Sequence, residues 1–129
     1  MSYAISTTVS TPYAETVEAV KAALGEQGFG VLTEIDIKAT LKKKLDVDVP
    51  AQVILGACRP PLAHQALLAE PSVGLLLPCN VVVRESGEST VVEAVDPETM
   101  VAMTKNDGLK SVADEAKERL EKALASLSA

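Results

Sequence analysis

The sequence predicts an α+β fold, a two-layer sandwich of a mostly antiparallel five-stranded sheet with two long helices on one face. Two segments, one after Thr11-Pro12 and one at the C-terminal end, each carry a single apolar stripe at helical spacing. Five short runs rich in β-branched and aliphatic residues read as strands. The last two of these are separated only by Ser86-Gly87-Glu88, which reads as a hairpin loop. The order is β-α-β-β-(short α)-β-β-α, within one domain spanning residues 1–129.

The first strand is "YAISTTVS", residues 3–10. Thr11 can cap the helix that follows, and Pro12 suits its first position. Tyr13, Val17, Val20 and Leu24 form its buried stripe, and Gly25 and Gly28 stop it. In "VLTEIDI", residues 31–37, Val31, Thr33, Ile35 and Ile37 alternate with Leu32, Glu34 and Asp36. Glu34 and Asp36 point the same way, which reads as a solvated sheet face. Residues 38–48 form a short helix or irregular segment, and its Lys42-Lys43-Lys44 run reads as a solvated face. "AQVILGA" is apolar on both faces and reads as a central strand. Pro60-Pro61 start a short helix over 61–69, and strands follow at 79–85 and 89–95. A connection around Met100 and Met103 leads to the clearest element, a helix over about 109–126. Its buried face is Leu109, Val112, Ala113, Ala116, Leu120, Ala123, Leu124 and Leu127.

Composition narrows the function classes. Hydrophobic residues make up 47%, enough for a real core, while aromatics are only 2%. That poverty removes stacking platforms for single-stranded nucleic acid, and a net charge of −6 repels phosphate backbones. No nucleic-acid partner is expected. There is no basic leader with an apolar core after Met1, and "VGLLLPCNVVV" is broken by Pro78 and Asn80, so no membrane span is expected either. A cytoplasmic protein follows, in which two cysteines are reduced thiols. Val81, Val83, Val91 and Val95 compete with Val82, Val92 and Ala94 for the helix-facing side. Both sets are apolar, so the second sheet face needs cover, and a homodimer is the simplest cover.

The chemistry concentrates in "GACRPPLAH" and "LPCNVVV". Cys58 ends one strand and Cys79 begins the next, so a short crossover can bring the thiols together. His64, the one histidine, lies in a helix that is apolar almost all round and therefore needs a partner there. Cys58, His64 and Cys79 are candidate ligands for Zn or Cu(I). Met100 and Met103 at i, i+3 can enlarge a copper-type site, although core packing explains them as well. A site shared across a dimer axis through His64 or Cys79 is a further arrangement. Arg59 adds charge, Asn80 an amide, and the helix N-terminus after Pro60-Pro61 backbone N–H groups for an anion. The plainer reading makes both thiols and the histidine core residues. The chain has no P-loop, GxGxxG, GxSxG or HExxH pattern.

"GFGVLTEIDIKATLKKKLDVD", "ILGACRPPLAHQALLAEPSVGLLLPCNVVV" and "VDPETM" resemble the bacterial domain-of-unknown-function family numbered 302 over essentially the whole chain. The phrases "GAC-x-P-x-LAH-x-AL" and "GLLLPCN-V" carry the resemblance together. It implies a TBP-like α+β fold and a dimer, and it supplies no activity. The family pattern has Asn where this chain has Arg59. Cys58, Pro60, His64, Pro78, Cys79 and Asn80 match it and are where the resemblance puts a site.

Three functions fit this reading. The first is a homodimeric module binding a small ligand, anion or soft metal through Cys58, Arg59, His64, Cys79 and Asn80. The second is a thiol enzyme or redox protein, with Cys79 or Cys58 as nucleophile and His64 as base. The third is a purely structural or assembly protein.

Overall fold

The computed structural model describes residues 3–127. The strands are β1 (Ala4–Val9), β2 (Gly30–Asp36), β3 (Gln52–Cys58), β4 (Cys79–Ser86) and β5 (Ser89–Val95). They form one antiparallel sheet in the order β1-β5-β4-β3-β2. The helices are α1 (Tyr13–Glu26), α2 (Ile37–Leu45), α3 (Pro60–Ala69), α4 (Glu98–Thr104) and α5 (Lys110–Leu127), with 3-10 turns at Pro71–Leu76 and Asp107–Leu109. The α+β sandwich is as expected, with α1 and α5 side by side on one sheet face.

Register decides which side chains that face receives. Val53 pairs with Val83, Leu55 with Val81, and Ala57 with Cys79. Val83 in turn pairs with Val92, and Val81 with Ala94. These residues share one side of the pleat and are all buried except half-buried Cys79. They meet Val20, Ala23 and Leu24 of α1 and Leu120, Ala123 and Leu124 of α5. The competition among the valines is thus resolved: Val82, Val91 and Val95 lie on the second face with Ile35 and Ile54.

Several local expectations need correction. Pro12, not Thr11, is the N-cap residue of α1 and makes no side-chain cap. Thr11 Oγ1 instead bonds Thr16 Oγ1 at 2.6 Å, and the Thr11 carbonyl accepts from Thr90 Oγ1 at 2.8 Å. Gly25 stays helical; the left-handed residue is Gly28, at φ 83°. Ile37 has left the strand, because the Asp36 carboxylate accepts from Ala39 N–H at 2.9 Å and starts α2 there. A register shift between Val31 and Thr33 moves Glu34 and Asp36 to the helix side, where Glu34 Oε1 meets Lys21 Nζ of α1 at 2.6 Å. β3 is paired on both edges, yet the middle strand is β4. The lysine run is solvated as expected, forming the exposed last turn of α2, where Lys42 pairs with Asp46 at 2.9 Å.

A second cluster lies beyond the end of the sheet. Leu62 and Ala66 of α3, Val73, Met100 of α4, and Leu109, Val112, Ala113 and Ala116 pack together there. Only Leu62 and Ala66 of α3 are buried, while Leu67 is 42% and Leu68 73% exposed. Of the two readings of this helix, burial on several sides or a place in an interface, the first is not met, because among the described residues nothing packs on its outer face. Asn106 ties its end down, its Nδ2 donating to the Ala69 carbonyl and to Glu70 Oε1 at 3.1 and 2.9 Å.

Candidate site at the seam between two cores

The corner from β3 to α3 is set by glycine and proline. A side chain at Gly56 would collide with Thr33 Oγ1 and would come within 2.8 Å of Pro78 Cγ. Glycine here lets the Pro78 ring lie against β3, which seats the start of β4 beside its end. The Leu77-Pro78 peptide is cis. At the other end, Gly28 leaves room for the Arg59 side chain, since a Cβ there would lie 3.0 Å from Arg59 Nε. Arg59 Nη1 then reaches Glu115 Oε2 of α5 at 3.8 Å. Glu115 also holds Arg119 Nε at 3.0 Å, and Arg119 Nη1 donates to the Gln27 carbonyl at 3.2 Å.

These contacts frame a cavity of about 30 Å³ between the two clusters. Cys58, Arg59, Pro78, Cys79 and Met100 line it, with Phe29, Leu62 and Ala116 among its apolar walls. Cys58 and Cys79 are therefore brought together, both as free thiols. Burial pushes the Cys79 thiol up to about 11, and the neighbouring Cys58 adds to the shift. At neutral pH Cys79 is thus a protonated thiol. Arg59 Nε is a buried donor without an acceptor among the described residues.

The remaining proposed residues lie elsewhere. His64 is exposed on α3 and does not line the cavity, so it faces neither thiol as a base or co-ligand. Asn80 pairs with Gly56 and points to the second sheet face, where it is exposed. The N-terminus of α3 offers an anion little: Pro60 and Pro61 have no N–H, and those of Leu62 and Ala63 bond the Arg59 carbonyl at 3.0 and 3.1 Å. Among the described residues no three His, Cys, Asp or Glu side chains are grouped so as to hold a metal.

The model of the family described as "Domain of unknown function DUF302" matches residues 5–127. The chain belongs to the DUF302 family. A solved structure, an uncharacterised conserved DUF302 protein from Bacillus stearothermophilus, is 31% identical, with a TM-score of 0.90 over 97% of this chain and 98% of that one. No curated protein matches the chain. The family carries no assigned function, so the DUF302 site has to be read from its own atoms. None of the described helices is long and apolar enough to cross a membrane.

Beside the cavity runs a groove of about 270 Å³ between the 3-10 turn at Pro71–Leu76 and α4. Leu77, Pro78, Cys79 and Met100 line both hollows. Asn80, Thr99, Leu75 and Met103 line the groove alone, and Thr99 Oγ1 is a buried polar atom without a partner among the described residues. Asp96 in its wall is already engaged, bonding Glu98 N–H at 2.9 Å and Lys117 Nζ at 3.1 Å. The sequence marks Gly56, with the prolines, as part of the corner but not its close contact with Thr33 and Pro78, and it does not mark Thr99. A glycine inside a strand pattern is a signal for such close approach; nothing local marks Thr99.

Proposed function

We propose that this DUF302 chain is a cytoplasmic binding module for a soft monovalent metal ion of the Cu(I) class, held by the sulfurs of Cys58 and Cys79 with Met100 as third donor. The observation that carries this is the convergence of three sulfur side chains on one cavity of about 30 Å³. That volume suits an ion, not a metabolite, whose pockets run to roughly 300–1,000 Å³. Thiolate and thioether donors favour Cu(I), while a tetrahedral zinc site lacks its ligand set here. As each Cu–S bond to cysteine forms, the thiol proton leaves to solvent. Two thiolates and Cu(I) carry one net negative charge, and Arg59, with its unpaired Nε–H, supplies the counter-charge. Two adjacent free cysteines also suit a reducing compartment.

Anaerobic titration with Cu(I) against a chromophoric chelator tests the reading. One equivalent should bind, and Cys58→Ser and Cys79→Ser should each weaken it by about two decades, or roughly 2.8 kcal/mol. A double variant that binds like the parent overturns it.

A homodimer closing over the second sheet face belongs to the same proposal. Ile54, Val82, Val91 and Val95 lie there half-buried, Ile35 is 46% exposed, and Arg84 Nη2 meets Glu93 Oε1 at 3.1 Å among them. An apolar field with one opposite-charge pair can meet its own two-fold copy. Sedimentation at micromolar concentration should give a dimer that Val82→Glu dissociates; a parental monomer overturns it.

A further inference from the structure

The sulfur atoms of the described residues belong to Cys58, Cys79, Met100 and Met103, and all four line the cavity or the groove beside it. They run from the groove into the cavity through residues that the two hollows share. Met103 is 64% exposed and lines only the groove. Met100, one helical turn earlier on α4, is 6% exposed and lines both hollows, as does Cys79. Cys58, half-buried like Cys79, lines the cavity and not the groove. Nothing in core packing requires a methionine at an exposed position, and Met103 contributes to neither buried cluster.

We infer that the groove is the loading port of the metal site, and that a soft ion enters by ligand exchange from Met103 to Met100 to Cys79 and then Cys58. This rests on the metal reading above. Thioethers carry no proton, so Met103 and Met100 take up Cu(I) without releasing one. The Cu–S bond to Met103 then breaks as the bond to Cys79 forms, and the Cys79 proton leaves to water. The Cys58 bond forms in the same way. The oxidation state of copper is unchanged throughout, and no co-reactant is needed. The exchange of the Met103 thioether for the Cys79 thiolate replaces a weaker soft donor by a stronger one, which gives the path its direction.

The test separates rate from affinity. Cu(I), supplied as its acetonitrile complex under anaerobic conditions, is mixed rapidly with the full chain, and loading is followed by thiolate-to-metal absorbance. Met103→Leu is expected to load about tenfold more slowly, as for one weak bond lost from the entry transition state, with unchanged equilibrium affinity. Leu68→Ala, exposed on α3 away from both hollows, is expected to load like the parent. With Ag(I) as a redox-inert probe, the Met103 and Met100 methyl resonances should shift at sub-stoichiometric metal. A Met103→Leu chain that loads at the parental rate, or that loses equilibrium affinity, overturns the port and leaves the metal reading standing. A parent that binds no Cu(I) overturns both.

Discussion

The two buried clusters of this molecule are built from similar residues and do different things. The first lies between the sheet and the paired helices α1 and α5, where strand register places Val53, Leu55, Val81, Val83, Val92 and Ala94 against Leu24 and Leu120. Regular elements meet there on flat faces, and the hydroxyl residues buried beside it among the described residues, Thr16 and Thr90, are satisfied by the Thr11 corner. The second is assembled from helix ends, 3-10 turns and two proline corners around α3 and α4. Such irregular pieces do not interdigitate so closely. At their border with the sheet they leave a cavity, two thiols and an unpaired Arg59 Nε–H. Regular packing buries hydrocarbon, whereas the irregular seam holds the reactive atoms.

The contrast can be broken by substitution. Leu120→Ala, at a fully buried position of the first cluster, should cost roughly 2–5 kcal/mol by urea denaturation. Leu62→Ala, the same change at a buried position of the seam, should cost less, about 2 kcal/mol. Equal losses would mean that the seam is packed as tightly as the sheet layer. A further effect is set by pH. The Cys79 thiol is raised from 9.0 to about 11 in the folded chain. Its protonated form therefore stabilises the fold fully below pH 9, and this is lost as pH rises towards 11, a change of roughly 2–3 kcal/mol at 1.36 kcal/mol per unit. Stability of the parent should fall across that window more steeply than that of Cys79→Ala; parallel curves would place the thiol in water. Gly56→Ala should cost about 1–3 kcal/mol by forcing Pro78 and Thr33 away from β3. It should also weaken Cu(I) binding by displacing Cys79. His64→Ala should change stability by no more than about 0.5 kcal/mol, as for an exposed residue, and leave Cu(I) affinity intact.

How much of this is legible in the sequence follows from the range of the forces involved. Local period and turn chemistry are enough for α1, α5 and the β4–β5 hairpin, and the buried stripe of α5 matches apart from half-buried Leu127 and from Leu109, which is buried in the 3-10 turn before the helix. Strand order is a long-range property, so the central position of β4 could not be read from the apolar run in β3. For the same reason the valines of β4 and β5 could not be assigned to faces. The apolar composition of α3 points to burial, but composition does not reveal whether a neighbour exists to cover Leu67 and Leu68. The partner expected for His64 rested on burial of that helix, and within the chain His64 is exposed. The pairing of Cys58 with Cys79 was legible as an opportunity, because a short crossover favours neighbouring strands. It took the Ala57–Cys79 register to place both at one cavity.

Helix α5 runs the length of both clusters. Its first half supplies Val112, Ala113 and Ala116 to the seam, and its second half supplies Leu120, Ala123 and Leu124 to the sheet layer. A continuous helix carries one hydrogen-bond ladder through both halves, so each half supports the other. The two clusters are thereby joined into one cooperative unit, and amide protons of α3 and α4 should exchange only slightly faster than those of β4. Whatever stiffens the seam, an ion above all, will be felt as protection at the far end of the sheet.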